Sequence, residues 1–102
     1  MSSEGIINKA LIIAKFWQTR SRSELNGRQL KIIQRMLEAE PKGFEGGMTN
    51  RKYVSLAKTS RETAKRDLAD LEEKGILKKN SGKGRSVSYS LVVPTEMIRR
   101  FG

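Results

Sequence analysis

The strongest fold signal lies in residues 49–79, which read TNRKYVSLAKTSRETAKRDLADLEEKGILKK. Thr49 is a good N-cap for a helix. The apolar residues that follow it recur at helical spacing and predict an inner face: Tyr53, Val54 and Ala57. The pattern stops after Lys58, so this first helix is predicted to be short and to end in a tight turn.

A longer helix follows the turn, and both Thr59 and Ser60 fit as its N-cap, because Thr59 with Glu62 also matches the capping-box pattern. Gly75 stands where glycine commonly ends a helix. Three residues at helical spacing predict the buried face: Ala64, Leu68 and Leu71. The acidic residues lie among Lys and Arg and predict a solvated, salt-bridged face: Glu62, Asp67, Asp70, Glu72 and Glu73.

After Gly75, the spacing of the apolar residues changes from that of a helix to that of a strand. Residues 76–79 predict a short strand, residues 80–84 a turn, and the next strand alternates serine with apolar residues that form one buried face: Val87, Tyr89 and Leu91. A short helix, a tight turn, a longer helix and a hairpin are typical of the winged helix-turn-helix. We therefore predict a mainly α fold with a small β-hairpin.

Two further helices are predicted before this unit. Residues 4–20 carry an apolar stripe, which Ile13 and Phe16 make wider than a half-exposed helix needs: Ile6, Ile7, Ala10, Leu11, Ala14 and Trp17. Asn26 caps the next helix and Gln29 completes a capping box. Its predicted face is Leu30, Ile33 and Leu37, with Ile32 and Met36 beside it.

These elements predict a division of the chain into three parts. Residues 1–24 form an N-terminal helix and connector that provides a dimer or interdomain contact. Residues 25–93 form the winged helix-turn-helix, and residues 94–102 form a C-terminal tail.

The composition favours an anionic partner and argues against catalysis. The 102 residues carry a formal net charge of +10 and include no His and no Cys. The commonest general base, metal ligand and thiol nucleophile are therefore missing, and we predict no catalytic residue, metal or cofactor. A membrane partner is disfavoured because the basic charges do not lie opposite the most apolar helix. With no pattern of a signal peptide or bilayer span, we expect a cytoplasmic protein.

The predicted partner is double-stranded DNA, because the second helix of a helix-turn-helix enters the major groove. Base readout is assigned to the outward face of that helix: Arg61, Glu62 and Lys65. Phosphate contacts are assigned to Thr49, Arg51, Ser60, Thr63 and Arg66. The wing contributes Lys78, Lys79, Lys83 and Arg85. The alternative interpretation is an ordinary capped helix start with solvated charges.

For two other groups of residues, a role other than nucleic-acid contact is favoured. A solvated outer face is the favoured interpretation of the cations on the capped helix: Arg28, Lys31 and Arg35. Core or interface packing is favoured for the aromatic residues, since each falls on an apolar face: Phe16, Trp17, Tyr53 and Tyr89.

Several segments resemble the C-terminal winged-helix region of Fic (filamentation induced by cAMP) family proteins. They are FWQ at 16–18, LNGRQ at 25–29, GFEGGMTNRKY at 43–53, SRETAKRDL at 60–68, KGIL at 74–77 and GKGRS at 82–86, continuing to Tyr89. The resemblance implies that the chain is a fragment of a bacterial protein whose preceding domain transfers AMP to hydroxyl side chains. That activity uses His-Pro-Phe-x-x-Gly-Asn-Gly-Arg, of which only Asn26, Gly27 and Arg28 have a counterpart. The transferase activity therefore does not carry over.

Two functional hypotheses follow. The first is a DNA-binding module, through which the parent protein regulates its own gene. The second is a protein-interaction module, which dimerises through the N-terminal helix or docks on the catalytic domain. The wide apolar stripe of residues 4–20 motivates the second hypothesis.

Overall fold

The computed structural model describes residues 9–18, 20–40, 43–80 and 87–92. The elements in chain order are α1 (Lys9–Gln18), a 3-10 turn (Arg22–Glu24), α2 (Gly27–Glu38), α3 (Asn50–Ala57), α4 (Arg61–Glu73), β1 (Leu77–Lys79) and β2 (Tyr89–Leu91). The core is one cluster to which every helix and both strands contribute buried side chains.

Helix α2 begins with the predicted capping box. The Asn26 side chain accepts a hydrogen bond from the Gln29 backbone N–H, and the Gln29 side chain accepts one from the Asn26 N–H. The predicted apolar face differs only at Leu30, which is half-buried, and is confirmed at four residues that are fully buried: Ile32, Ile33, Met36 and Leu37.

The apolar stripe predicted for α1 does not form its buried face. Ile12 and Phe16 are buried, whereas Leu11 keeps 40% of its surface exposed and Ala10 and Ala14 are also exposed. The helix is apolar on nearly every side, so its periodicity fits more than one buried face and only packing selects between them. Ile6 and Ile7 lie outside the described residues.

Helices α3 and α4 form the helix-turn-helix. The Thr49 hydroxyl accepts from the Lys52 backbone N–H and caps α3. The turn places Lys58 in the left-handed region, at φ 54°. This conformation explains why glycine would suit the position, although Lys adopts it here. Ser60 is the N-cap of α4, accepting from the Thr63 N–H, so the Ser60 register is the one that forms.

The predicted core face of α4 is confirmed, and the helix ends as expected. Ala64, Leu68 and Leu71 are all buried. Gly75 has a φ of +76°, the left-handed conformation of a helix-ending glycine, and Ile76 N–H bonds to the Leu71 carbonyl. The chain then enters β1, which packs against α4.

Strands β1 and β2 pair antiparallel, with Leu77 opposite Leu91. Met48 adds an isolated bridge on the other side of β2, because its N–H and C=O both bond to Tyr89 at 2.8 Å. The wing is therefore attached to the loop that precedes α3. The observed architecture confirms the predicted winged helix-turn-helix: mainly α, with a two-stranded hairpin.

The buried face predicted for the second strand is only partly correct. Leu91 is buried and Tyr89 half-buried, but Val87 is 48% exposed. Val87 lies outside the paired residues of β2, where the strand has left the core and forms one side of a groove. The predicted hairpin tip, with Lys83 and Arg85, lies outside the described residues.

Candidate nucleic-acid interface

The N-terminal half of α4 is open to solvent on one side. Arg61, Glu62 and Lys65 are all exposed, as the sequence predicts for the outward face. The Asn50 side chain donates to the Arg61 carbonyl at 3.2 Å and so connects the first turns of α3 and α4. The two helix starts are thus held side by side, with their cationic side chains on the surface.

An open groove of about 1090 Å³ runs between these helix starts and the wing. Its lining combines three cations with polar and apolar groups and includes no acidic residue: Thr49, Asn50, Arg51, Val54, Arg61, Lys65, Leu68, Val87 and Tyr89. We call it the α4 groove. An electropositive groove of this composition attracts polyanions, because no carboxylate in the lining opposes the cations.

The predicted phosphate contacts are distributed around this groove. Thr49 and Arg51 line it directly. Arg66 is exposed, and Thr63 is half-buried. The Ser60 hydroxyl already serves the helix start, accepting from the Thr63 N–H and lying 3.0 Å from the Thr63 hydroxyl. Backbone N–H groups at the start of α4 add partial positive charge near the groove.

The predicted wing cations that the structure describes, Lys78 and Lys79, do not line the α4 groove. Lys78 and Lys79 are exposed on β1, whereas the wing side of the groove is formed by Tyr89 on β2 and by Val87, which precedes that strand. The cations of β1 are therefore not part of the groove that Arg61 and Lys65 line.

A buried carboxylate that sequence reasoning placed on the surface holds α4 in position. Asp67 is only 5% exposed. Its Oδ2 accepts from the Tyr53 hydroxyl at 2.7 Å and from Arg28 Nε at 2.8 Å, and its Oδ1 accepts from Asn26 Nδ2 at 3.2 Å. The prediction of a solvated Asp67 is wrong, because donors from α3 and from the start of α2 surround it.

The same contacts shift the pKa values of Asp67 and Tyr53 in opposite directions. Burial disfavours the charged carboxylate, but the bonds from Arg28, Tyr53 and Asn26 outweigh it and lower the pKa of Asp67. Burial and the bond to Asp67 raise the pKa of Tyr53, so its hydroxyl remains a donor. Arg28 is therefore an ion-pair partner of Asp67 rather than a purely solvated cation, whereas Lys31 and Arg35 are exposed as predicted.

Gln29 adds a second connection between α2 and α4. Its buried side-chain amide donates to the Asp67 carbonyl at 3.1 Å and to Asp70 Oδ2 at 3.0 Å. Gln29, which completes the capping box of α2, thus also holds the middle of α4 in place. Because Arg61 and Lys65 of the groove are on α4, this polar cluster sets where they stand relative to α3.

Neither a metal-binding group nor a membrane-spanning helix is found in the part of the chain that the structure describes. Residues 9–18, 20–40, 43–80 and 87–92 contain no group of His, Cys, Asp or Glu that could hold a metal ion. Within the same ranges, each helix is too short or too polar to cross a bilayer.

Comparisons with known proteins agree with this architecture. Residues 45–89 match the model of the DeoR-like helix-turn-helix domain. This segment covers α3, α4 and β1 and reaches the first residue of β2. No curated protein sequence matches the chain.

Three solved structures share the fold at low sequence identity. Reduced HlyU from Vibrio cholerae is 17% identical with a TM-score of 0.50, covering 91% of this chain and 81% of HlyU. MepR, a transcription regulator of the Staphylococcus aureus multidrug efflux pump MepA, is 17% identical with a TM-score of 0.54, covering 90% and 64%. The transcriptional regulator Tm0710 from Thermotoga maritima is 18% identical with a TM-score of 0.51, covering 90% and 62%. The chain thus spans less than two thirds of the latter two.

Proposed function

We propose that the chain is the DNA-binding module of a transcription regulator and that α4 reads double-stranded DNA. The observation that carries the proposal is the α4 groove, where Arg51, Arg61 and Lys65 meet without an acidic residue in the lining. In a winged helix-turn-helix, this part of the second helix faces the major groove. A protein bound to the chromosome would act in the bacterial cytoplasm.

The individual roles follow from position and chemistry. Arg61 and Lys65 are suited to guanine, and Glu62 is suited to accept from cytosine. Phosphates would be bound by Thr49, Arg51, Ser60, Thr63 and Arg66, which surround the helix starts. Lys78 and Lys79 would contact the neighbouring backbone together with Lys83 and Arg85.

The direct test begins with selection of bound fragments from random duplex DNA, followed by affinity measurements on the selected site. Arg61→Ala is expected to weaken binding to that site by about 5- to 150-fold, because a base contact contributes about 1–3 kcal/mol. Arg66→Gln should weaken selected and random DNA alike and reduce the slope of log K against log salt by about 0.9, the value of one phosphate contact.

Lys15→Gln is the matched control, because it removes one charge from an exposed position on α1 away from the α4 groove. It should leave discrimination between selected and random DNA unchanged. Equal affinity at about 50 and 200 mM salt would contradict the proposal, since phosphate binding releases counterions.

The resemblance to Fic proteins supports a further proposal, that this chain is the C-terminal regulatory region of such a protein. The module would then bring an AMP-transferase domain to DNA or couple its activity to gene regulation. The reading frame that encodes the chain should carry a His-Pro-Phe-x-x-Gly-Asn-Gly-Arg motif upstream. Its absence there would overturn this parentage without affecting the DNA-binding proposal.

The alternative function is protein interaction through α1, and one observation favours it. Ala10, Leu11 and Ala14 form an exposed apolar strip on α1, with Leu11 40% exposed. Removing α1 would damage the core, because Phe16 belongs to it.

The variant that tests this alternative is therefore Leu11→Glu. If α1 forms a homodimer, light scattering should show a dimer for the parent chain and a monomer for Leu11→Glu. A control, Ser55→Glu on the exposed side of α3, should keep the dimer. A monomer at all concentrations for the parent chain would contradict dimerisation.

A further inference from the structure

A second concavity lies between α1 and α2 and shares no lining residue with the α4 groove. Its volume is about 400 Å³. Apolar side chains from both helices form part of it: Ile13, Trp17 and Leu37. Polar and charged side chains complete it: Arg22, Lys31, Gln34, Arg35 and Glu38. We call it the α1–α2 pocket.

Positive charges outnumber negative ones among the charged groups of the α1–α2 pocket. The single carboxylate, Glu38, lies 3.4 Å from Lys9 Nζ and is already paired. Arg22, Lys31 and Arg35 form no ion pair with any residue in the described ranges. Lys31 and Arg35 are also four residues apart on α2, a spacing at which like charges repel. An anion at this position would relieve that repulsion.

The apolar part of the pocket selects among anions. Ile13 and Trp17 are half-buried, packing against the core on one side and lining the pocket on the other, while Leu37 is fully buried. The Arg22 guanidinium lies 4.8 Å from the Trp17 ring centroid, so an aromatic surface and a cation are adjacent. Inorganic phosphate would leave these apolar surfaces unused, whereas an organic anion with a ring would cover them.

We propose that the α1–α2 pocket binds a small organic anion with an aromatic body. Its volume falls in the range of small-molecule sites, which combine apolar walls with a few placed polar groups. The acidic head would meet Lys31 and Arg35, and the ring would lie against Ile13 and Trp17. A second copy of this chain is a poorer occupant, because it carries a net charge of +10 and would approach an already cationic rim.

Trp17 is the only tryptophan in the chain and gives the pocket a built-in fluorescent donor. The probe is 1-anilinonaphthalene-8-sulfonate, and the matched neutral probe is N-phenyl-1-naphthylamine, the same ring system without the sulfonate. The sulfonate is expected to bind one site per chain, at least tenfold more tightly than the neutral probe, with energy transfer from Trp17. Equal affinity for the two probes would overturn the proposal.

Variants at the rim locate the site. The double variant Lys31→Gln, Arg35→Gln should weaken sulfonate binding about tenfold, since each exposed charge pair contributes up to about 1 kcal/mol, and should leave the neutral probe unchanged. Lys15→Gln, at an exposed position of α1 outside the pocket, is the control and should bind both probes like the parent chain.

Circular dichroism of the double variant should match the parent chain, because both residues are exposed. Unchanged sulfonate binding by the double variant would overturn the proposal. The proposal would also be overturned if sulfonate binding is lost at protein concentrations where light scattering detects dimers, because a second copy of the chain would then occupy the pocket.

Discussion

Asp67→Ala is expected to lower the free energy of unfolding by about 3 kcal/mol, because the substitution removes the acceptor of a buried cluster. The Tyr53 ring is fully buried, and its hydroxyl donates to Asp67 Oδ2. Without the carboxylate, that hydroxyl would lack an acceptor, which costs about 1–3 kcal/mol. Charge-assisted bonds from Arg28 and Asn26 are lost as well, so the bond from Gln29 to the backbone carbonyl is what the variant keeps of the connections between α2 and position 67.

Urea unfolding of a small matched set checks this value. Asp70→Asn is the control on the same helix, because Asp70 forms a more exposed pair with Lys74 at 2.6 Å and is expected to lose less than about 1 kcal/mol. Asp67→Asn should cost more than Asp70→Asn. In a double-mutant cycle with Tyr53→Phe, the double variant should lose less stability than the sum of the two single losses, since the two residues share one hydrogen bond. Equal effects of the two Asp→Asn substitutions would refute the role of burial.

The cluster also predicts a pH dependence of stability. The pKa of Asp67 is lower in the folded chain than in the unfolded chain, so the unfolded chain binds more protons as the solution becomes acidic. The stabilisation from Asp67 is therefore fully present above the unfolded pKa of about 3.9 and is lost as the pH falls through the lower folded value. Between about pH 6 and pH 3 the parent chain should lose more stability than Asp67→Asn does.

The local signals in the sequence predicted the helix-turn-helix well because they act over a few residues. Thr49, Asn26 and Ser60 cap their helices through bonds to residues three positions away, and a spacing of three is visible in the sequence. The helical spacing of Ala64, Leu68 and Leu71 predicted that Arg61 and Lys65 face outward, as observed. These parts of the candidate interface depend on helix geometry alone.

The polar cluster was missed because its donors are distant along the chain. Asp67 is 39 residues from Arg28 and 14 from Tyr53. One local signal was available, since position 67 completes the spacing 64, 67, 68 and 71 of a buried helical stripe. The charge of Asp67 predicted an exposed side chain, and the sequence alone did not reveal the donors that make its burial favourable. The buried face of α1 was missed for a related reason, since an all-round apolar helix leaves the choice to tertiary packing.

Gly47→Ala is expected to lower the free energy of unfolding by about 3 kcal/mol, comparable to the loss at Asp67. Gly47 has a φ of +72°, and an added side chain costs about 1–2 kcal/mol in this conformation. A Cβ atom would also lie 3.0 Å from the Tyr89 carbonyl oxygen. That oxygen accepts from the Met48 N–H, so the new methyl group would push apart the bridge that attaches the wing to the loop before α3.

The matched control is Gly27→Ala at the start of α2, where a Cβ would meet nothing within 4 Å. Alanine is the better helix former, so this variant should be as stable as the parent chain or up to about 1 kcal/mol more stable. Both are measured by urea unfolding. Because the bridge positions the wing beside α4, Gly47→Ala should also weaken DNA binding under conditions where the chain remains folded. If the two alanine variants unfold at the same urea concentration, the bridge between Met48 and Tyr89 does not require glycine at position 47.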